Sequence, residues 1–158
     1  MSEPTSQDVA GGLPLQGQHA VVTGASRGIG AAIAATLARR GAAVTLMARS
    51  EAVLADQVTR LSGAHPGRAQ AVPIDVTDEA RVVTALAKAA DAFGPVQILV
   101  NNAGIAEAAP FSMTDRAFWQ RLIDVDLTGP YLCIRQVLGP MVKAGRGRII
   151  NVASTAGH

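Results

Sequence analysis

The chain of 158 residues has the length of one domain, and its hydrophobic residues, 49% of the total, are sufficient for a core. Only 3% of residues are aromatic, so that core must consist of small aliphatic side chains. A formal net charge of +2 argues against nucleic acid as a partner, and no apolar run approaches the length of a membrane span. Cys133 is the only cysteine, which excludes an internal disulfide and a metal cluster and favours a buried thiol in a cytoplasmic protein.

The chain divides into a short polar segment and one domain. Residues 1–16 begin with polar and acidic side chains, unlike a signal peptide, and we expect them to form a flexible tail. Strand and helix patterns alternate over residues 17–158. Strands are predicted at 19–23, 43–48, 69–74, 97–100 and 148–153. Helices are predicted at 31–38, at 51–61, between Thr77 and Gly94, and in one long segment from about 115 to 142.

Alternation of this kind predicts an α/β fold with a doubly wound parallel sheet. Right-handed crossovers place the strands in the order 3-2-1-4-5, with a ligand crevice at the carboxyl ends of the first and fourth strands. On the first helix, we expect Ile29, Ile33 and Leu37 to face the core. On the long helix, Phe118 and Trp119 are among the expected core anchors.

A glycine-rich turn, Thr23-Gly24-Ala25-Ser26-Arg27-Gly28-Ile29-Gly30, joins the first strand to the first helix. Gly24 allows a tight turn, Gly28 allows a phosphate to approach the backbone, and Gly30 allows close packing of the helix on the sheet. The amides at the positive end of the helix then face the anion. The spacing is Gly-x-x-x-Gly-x-Gly, and no Gly-Lys-Ser/Thr follows, which excludes a nucleoside triphosphate loop. An ordinary glycine-rich turn is the alternative when these glycines are considered alone.

Two further segments extend the pattern of this turn. The fourth strand runs into Asn101-Asn102-Ala103-Gly104, and the fifth strand, which follows Gly147, ends just before Ser154. With the Thr-Gly-x-x-x-Gly-Ile-Gly turn, these segments resemble the short-chain dehydrogenase/reductase family from about Leu15 onward. The resemblance looks closest to members that act on 3-oxoacyl thioesters, and it implies a Rossmann-type domain, truncated after the fifth strand, that binds a nicotinamide coenzyme.

The resemblance implies coenzyme contacts at the end of four strands. Asp75 would hydrogen-bond the adenine edge, the backbone of Val76 would pack on the ring, and Asn102 would stabilise the central strand and approach the ribose. An Asp that only caps the next helix is the alternative for Asp75. The implied coenzyme-binding residues are Gly24, Ser26, Arg27, Gly28, Ile29, Gly30, Arg49, Asp75, Val76, Asn102, Ala103 and Gly104.

The position after the second strand indicates which coenzyme is preferred. An NAD-binding fold usually carries an acid there for the ribose hydroxyls, whereas this chain has Arg49. An arginine attracts the 2′-phosphate of NADP, and Arg27 in the glycine-rich turn adds a second positive charge. Both residues therefore favour NADP(H) over NAD(H), the alternative being that they are ordinary surface arginines.

Two residues are candidates for catalysis by resemblance. Ser154 would donate a hydrogen bond to a substrate carbonyl oxygen. Asp126 stands where family members usually carry an Asn whose main-chain carbonyl holds a water in a proton relay. Pro130 has no N–H and lies four residues further on, so the carbonyl of Asp126 loses its usual helical partner. A backbone role therefore tolerates the acid at 126, whereas a side-chain amide donor would be lost.

The family's Tyr-x-x-x-Lys pair does not occur in these 158 residues. Tyr131 is the only tyrosine; it lies on the long helix, where we expect it to pack, and Arg135 stands four residues after it. A positioned general acid typically contributes about 10²–10⁴ in rate, so we expect no turnover from this chain alone. The alternatives to an enzyme are a catalytically silent nucleotide-binding module and a gene fragment.

The resemblance also implies partners. The substrate would be a small carbonyl compound or secondary alcohol, with no nucleic acid, membrane or metal involved. A full-length version would form a homo-oligomer through the long helix. The fifth strand is expected to present an open sheet edge and an apolar face.

Overall fold

The computed structural model describes residues 12–64 and 68–154. Five parallel strands form one sheet in the order 3-2-1-4-5, which confirms the predicted doubly wound fold. The strands are β1 (His19–Thr23), β2 (Ala43–Ala48), β3 (Ala69–Pro73), β4 (Ile98–Asn101) and β5 (Arg148–Asn151). Most of the expected tail, residues 1–11, lies outside the described residues. Near the end of the expected tail, which was predicted to reach residue 16, Leu15 N–H donates to Arg40 O at 2.8 Å, so the chain is attached to the domain there.

Helices cover both faces of the sheet. They are α1 (Gly28–Arg39), α2 (Glu51–Ala64), α3 (Glu79–Phe93), α4 (Arg116–Ile123) and α5 (Gly129–Lys143), with a short 3₁₀ turn at Phe111–Met113. Asp78 caps α3 by accepting from Arg81 N–H, and α3 ends at Gly94, where φ is 80°. Along the described chain, no helix is both long enough and apolar enough to pass through a bilayer.

The core consists of two layers, one on each side of the sheet. On one side α1 and α2 cover β1, β2 and β4, and on the other side α3 and α5 cover β1, β4 and β3. The buried face of α1 is Gly30, Ala34 and Ala38, so the helix lies close to the strands. The expectation that Ile29 faces the core is wrong, since this side chain is 65% exposed, while Ile33 and Leu37 are half-buried.

The long helix is interrupted by a π-helical turn at Asp124–Thr128 between α4 and α5. In that turn Gly129 N–H donates to Asp124 O, five residues back. Pro130 cannot donate to a carbonyl four residues earlier, which explains why the regular helix widens here. Trp119 is 60% exposed, so its predicted role as a core anchor is wrong.

The amino ends of the strands enclose a buried polar network around His19. Its Nδ1 lies 2.8 Å from Gly94 O, and its Nε2 lies 2.9 Å from Thr45 Oγ1. Gln70 Nε2 donates to the same Thr45 oxygen, and Gln97 Oε1 accepts from the His19 N–H. Burial lowers the pKa of His19, which keeps the imidazole neutral in the network.

The lateral edge of the sheet formed by β5 is exposed. Within the described residues, β5 pairs with β4 alone. Ile150 is 48% exposed and Val142 of α5 is 70% exposed. The predicted open edge and apolar face of the fifth strand are therefore present in the structure.

Candidate functional site

The carboxyl end of β1 is joined to the carboxyl end of β4 by the Thr23 hydroxyl. Its Oγ1 accepts from the N–H of Asn102 and from the N–H of Ala103, both at 3.0 Å, and donates to Val100 O at 3.5 Å. The hydroxyl is buried, so these bonds are shielded from water. Thr23 therefore holds the two central loops in one fixed relation, at the place where the strand order reverses.

The side chain of Asn102 makes the second connection between these loops. Its Nδ2 donates to Thr23 O at 3.1 Å and to Gly24 O at 3.3 Å. An added Cβ at Gly30 would lie 2.5 Å from this Nδ2 and still closer to Gly24 O, and one at Gly24 would lie 2.8 Å from Ala103 Cα. Neither position can therefore carry a Cβ, Gly24 because the Asn102–Ala103 backbone lies against it and Gly30 because Gly24 O and the Asn102 amide do.

Gly28 differs from these two glycines because its surroundings are open. Its φ is +58°, and apart from its chain neighbours and the backbone of α1 no described atom lies within 4 Å of the position that a Cβ would occupy. Arg27 precedes it as the N-cap of α1, in extended conformation, and among the described residues no side chain caps the helix there. The first amides of α1 therefore border free space beside a backbone without a side chain, which fits a pyrophosphate.

Two hydrogen bonds from the β2–α2 side fix the first half of the turn. Ala25 N–H donates to Met47 O at 3.1 Å, and Gln57 Nε2 of α2 donates to Ser26 O at 3.2 Å. Ser26 is half-buried, whereas Arg27 and Gly28 are exposed. Gln57 was not among the predicted site residues, because helical periodicity places it only on α2 and gives no sign of the carbonyl that it meets.

Two charged residues, Arg49 and Asp75, follow the ends of β2 and β3. Asp75 Oδ1 accepts from the Thr77 N–H at 3.0 Å and from the Thr77 hydroxyl at 2.8 Å. The Thr77 N–H chiefly lowers the pKa of Asp75, and the charges of Arg49 and Arg81 lower it further. Helix capping is done by Asp78, so Asp75 is not the cap of α3. Arg49 is exposed at this end of the sheet.

Val76 follows Asp75 and is a core residue as well as a candidate contact. Its side chain is 8% exposed, and its Cγ2 would lie 2.9 Å from a Cβ added at Gly129. The start of α5 therefore packs directly against the segment that follows β3. This contact places the π-helical turn beside the candidate adenine site.

Asp126 points its carboxylate at the loop that follows β4. Its Oδ1 accepts from Ile105 N–H at 2.9 Å and would lie 3.2 Å from a Cβ added at Gly104. This contact needs an acceptor, which an acid and an amide both offer. The acid at 126 is therefore compatible with holding the loop.

Ser154 lies three residues after the end of β5, at the same edge of the sheet as Asn102, and is exposed. The ends of β4 and β5 are joined there by Asn101 Nδ2, which donates to Asn151 Oδ1 at 2.9 Å.

Tyr131 is half-exposed on α5, and its ring lies 5.7 Å from the Arg135 guanidinium carbon. Cys133 is buried, and burial raises the pKa of its thiol to about 11, in accord with the predicted structural role.

Comparison with known proteins identifies relatives of this arrangement. The sequence profile of the short chain dehydrogenases matches residues 18–158. The chain is 49% identical to cis-4-hydroxycyclohexanecarboxylate dehydrogenase of Sinomonas cyclohexanicum, with 87% of this chain and 55% of that protein covered. It is 40% identical to 3-oxoacyl-[acyl-carrier-protein] reductase of Synechocystis sp., with 90% and 58% covered.

Solved structures are also similar to this chain, in fold as well as in sequence. A metagenomic short-chain oxidoreductase in complex with NADP superposes with a TM-score of 0.85 at 41% identity, covering 90% of this chain and 65% of that one. A putative gluconate dehydrogenase from Agrobacterium tumefaciens gives 0.84 at 38% identity, covering 89% and 55%. The chain spans about half the length of the curated relatives that it matches.

Proposed function

Because the chain belongs to the short-chain dehydrogenase family, we propose that it holds NADP(H) across the carboxyl edge of its sheet for redox chemistry on a carbonyl compound or secondary alcohol. The observation that carries this proposal is the open backbone at Gly28, beside the first amides of α1. Behind it, Gly24 and Gly30 pack closely against Asn102 and Ala103, and Gly104 continues that loop along the proposed site.

The preference for NADP(H) over NAD(H) rests on charge. Arg27 and Arg49 are both exposed at the carboxyl edge, where a 2′-phosphate would need positive charge. Asp75, an acid of the same region, comes after β3 and not after β2, and it is already bonded to Thr77. An NADP complex among the structural relatives supports the same choice.

The chemistry follows from the residues that border this edge. A nicotinamide coenzyme, when bound, supplies or accepts a hydride. The Ser154 hydroxyl would donate a hydrogen bond to the substrate oxygen and so orient the reacting carbon. Asp126 would keep the loop after β4 in place through Ile105 N–H, while its main-chain carbonyl would accept a hydrogen bond from a water. Asp75 and Val76 would border the adenine, and Ser26 and Ile29 the phosphates.

The coenzyme preference can be tested by titration calorimetry. For the unmodified chain we expect NADPH to bind more tightly than NADH. Arg49→Ala removes a charged donor for the 2′-phosphate, so we expect NADPH to bind about 10- to 100-fold more weakly while the Kd for NADH changes little. Arg60→Ala is the matched control, since Arg60 is an exposed arginine in the second half of α2, away from the end of the helix that follows β2.

Three results would count against the proposal. If neither coenzyme binds to folded protein, the nucleotide site itself is wrong. If NADH binds as tightly as NADPH, or if Arg49→Ala and Arg60→Ala act alike, the NADP(H) preference is wrong.

Turnover is a separate measurement. For this chain alone we expect NADPH to raise the melting temperature without being oxidised in the presence of ketones, because its only tyrosine, Tyr131, lies on α5 and is followed four residues later by Arg135 and not by a lysine. Steady NADPH oxidation, followed by absorbance, would show that other residues can move the proton.

A further inference from the structure

Gln57 connects α2 to the glycine-rich turn. Its Nε2 donates to Ser26 O at 3.2 Å, across 31 positions in the sequence. The helix that carries it is anchored in the core by Leu54, which is fully buried, and by Leu61. The side chain of Gln57 is half-buried, so water competes only partly for this bond. Gln57 therefore links a rigid element to a backbone carbonyl of the turn.

The geometry of the peptide unit makes this bond more than a packing contact. In a trans peptide the C=O and the following N–H point in opposite directions, and the described residues contain no cis peptide bond. A donor that holds Ser26 O on the α2 side therefore directs the N–H of Arg27 away from α2. That N–H belongs to the N-cap of α1, directly before the open backbone of Gly28.

We propose that Gln57 is a positioning residue for the phosphate-binding turn, which sets the direction of the Arg27 amide before a nucleotide arrives. The inference rests on the proposed function, because the amide is taken to face a phosphate. Ala25 N–H, bonded to Met47 O, fixes the Gly24–Ala25 peptide, two peptide units earlier, in a similar way. With both bonds in place, binding does not have to order this part of the turn.

Two substitutions separate the hydrogen bond from the volume of the side chain. Gln57→Ala removes the donor. Gln57→Glu keeps the size, but its carboxylate cannot donate and would face the lone pairs of Ser26 O. Asp56→Ala is the matched control, since Asp56 is the exposed neighbour of Gln57 on the same helix.

The probes are NADPH, ADP-ribose and adenosine 2′-phosphate, titrated by calorimetry. The first two contain the pyrophosphate that the turn would hold, and the third does not. For Gln57→Ala we expect about 3- to 10-fold weaker binding of NADPH and ADP-ribose, and an unchanged Kd for adenosine 2′-phosphate. For Gln57→Glu we expect a loss of more than about 10-fold for the same two probes. Asp56→Ala should bind all three probes like the unmodified chain.

A second measurement tests order in the turn without ligand. Amide hydrogen exchange at Arg27 and Gly28 should be faster in Gln57→Ala, while exchange in β1 and β2 stays as in the unmodified chain. If Gln57→Ala binds NADPH as tightly as the unmodified chain, the inference is wrong. If all three probes weaken equally and the melting temperature falls, Gln57 is merely structural and the inference is also wrong. If the unmodified chain binds no NADPH, the proposed function fails first.

Discussion

The two ends of the parallel sheet differ in how their polar groups are bonded. At the amino end, His19, Thr45 and Gln70 are bonded to one another or to backbone, and His19 and Thr45 are buried. At the carboxyl end, the Thr23 and Asn102 side chains are bonded inward, whereas the backbone at Arg27 and Gly28 is exposed.

This difference separates stability from binding within one sheet. Polar groups that satisfy each other in the interior lose little when water is excluded, so the amino end can be closed. A binding edge must instead leave donors for a ligand while the surrounding backbone is held still. The carboxyl end achieves this with inward-facing bonds directly behind an open turn, and substitutions at the two ends should therefore have different consequences.

Gly30→Ala should have the largest effect on stability. The new Cβ would meet Gly24 O and Asn102 Nδ2, a backbone carbonyl and a side-chain amide that are hydrogen-bonded to each other. We expect the free energy of unfolding to fall by about 3 kcal/mol, with loss of coenzyme binding. Gly63→Ala is the control, because apart from its own helix backbone and chain neighbours no described atom lies within 4 Å of its Cβ position on α2, and it should raise stability slightly. Urea unfolding measures both, and equal effects would contradict the close approach at Gly30.

Asn102→Asp should have the next largest effect. The carboxylate cannot donate to Thr23 O and Gly24 O, so two carbonyls would face a negative charge. We expect a loss of about 2 kcal/mol in the free energy of unfolding. Asn151→Asp is a matched control, because Asn151 accepts a hydrogen bond at the end of β5 and an acid can do the same. A loss of similar size in both variants would refute the role given to the Asn102 amide.

Gly28→Ala should separate binding from stability. Alanine at φ +58° costs about 1 kcal/mol of strain, and its methyl group would enter the space proposed for the phosphates. Gly145→Ala carries the same strain, since φ there is +64°, in the loop before the amino end of β5. We expect equal losses in thermal stability, but weaker NADPH binding only for Gly28→Ala. Unchanged binding in Gly28→Ala would place the phosphates elsewhere.

The smallest predicted effect is a dependence of stability on pH at the amino end. Burial lowers the pKa of His19 in the folded chain below its value of 6.5 in the unfolded chain. At a pH between the folded and the unfolded pKa, the unfolded chain therefore binds more protons than the folded one. The contribution of His19 is therefore complete above about pH 6.5 and is lost as the pH falls below that value. We expect urea unfolding between pH 7.5 and 5.5 to show this decline, and His19→Gln to reduce it. Asp75, whose pKa is lowered too, adds a loss only below about pH 4. An identical decline in His19→Gln would exclude the imidazole as its source.

Much of the fold follows from local pattern. The bounds of β1 and β2 agree with the prediction, and the strand order follows from right-handed crossovers. The predicted continuous helix was wrong at Asp124–Thr128, although Pro130 carries the physical signal for that interruption. Ile29 and Trp119 were misplaced because apolar character does not show which face of a helix lies against the sheet.

The linear order of residues, by itself, determined which strands are neighbours and which segments end at the crevice, because alternation and glycine spacing are local properties. Only the tertiary structure decided the contacts between these segments. Gln57 meets Ser26 O, and Asp126 meets Ile105 N–H, across 31 and 21 positions of sequence. Such contacts depend on where elements pack and on the directions of individual side chains, and neither follows from the spacing of residues along one chain.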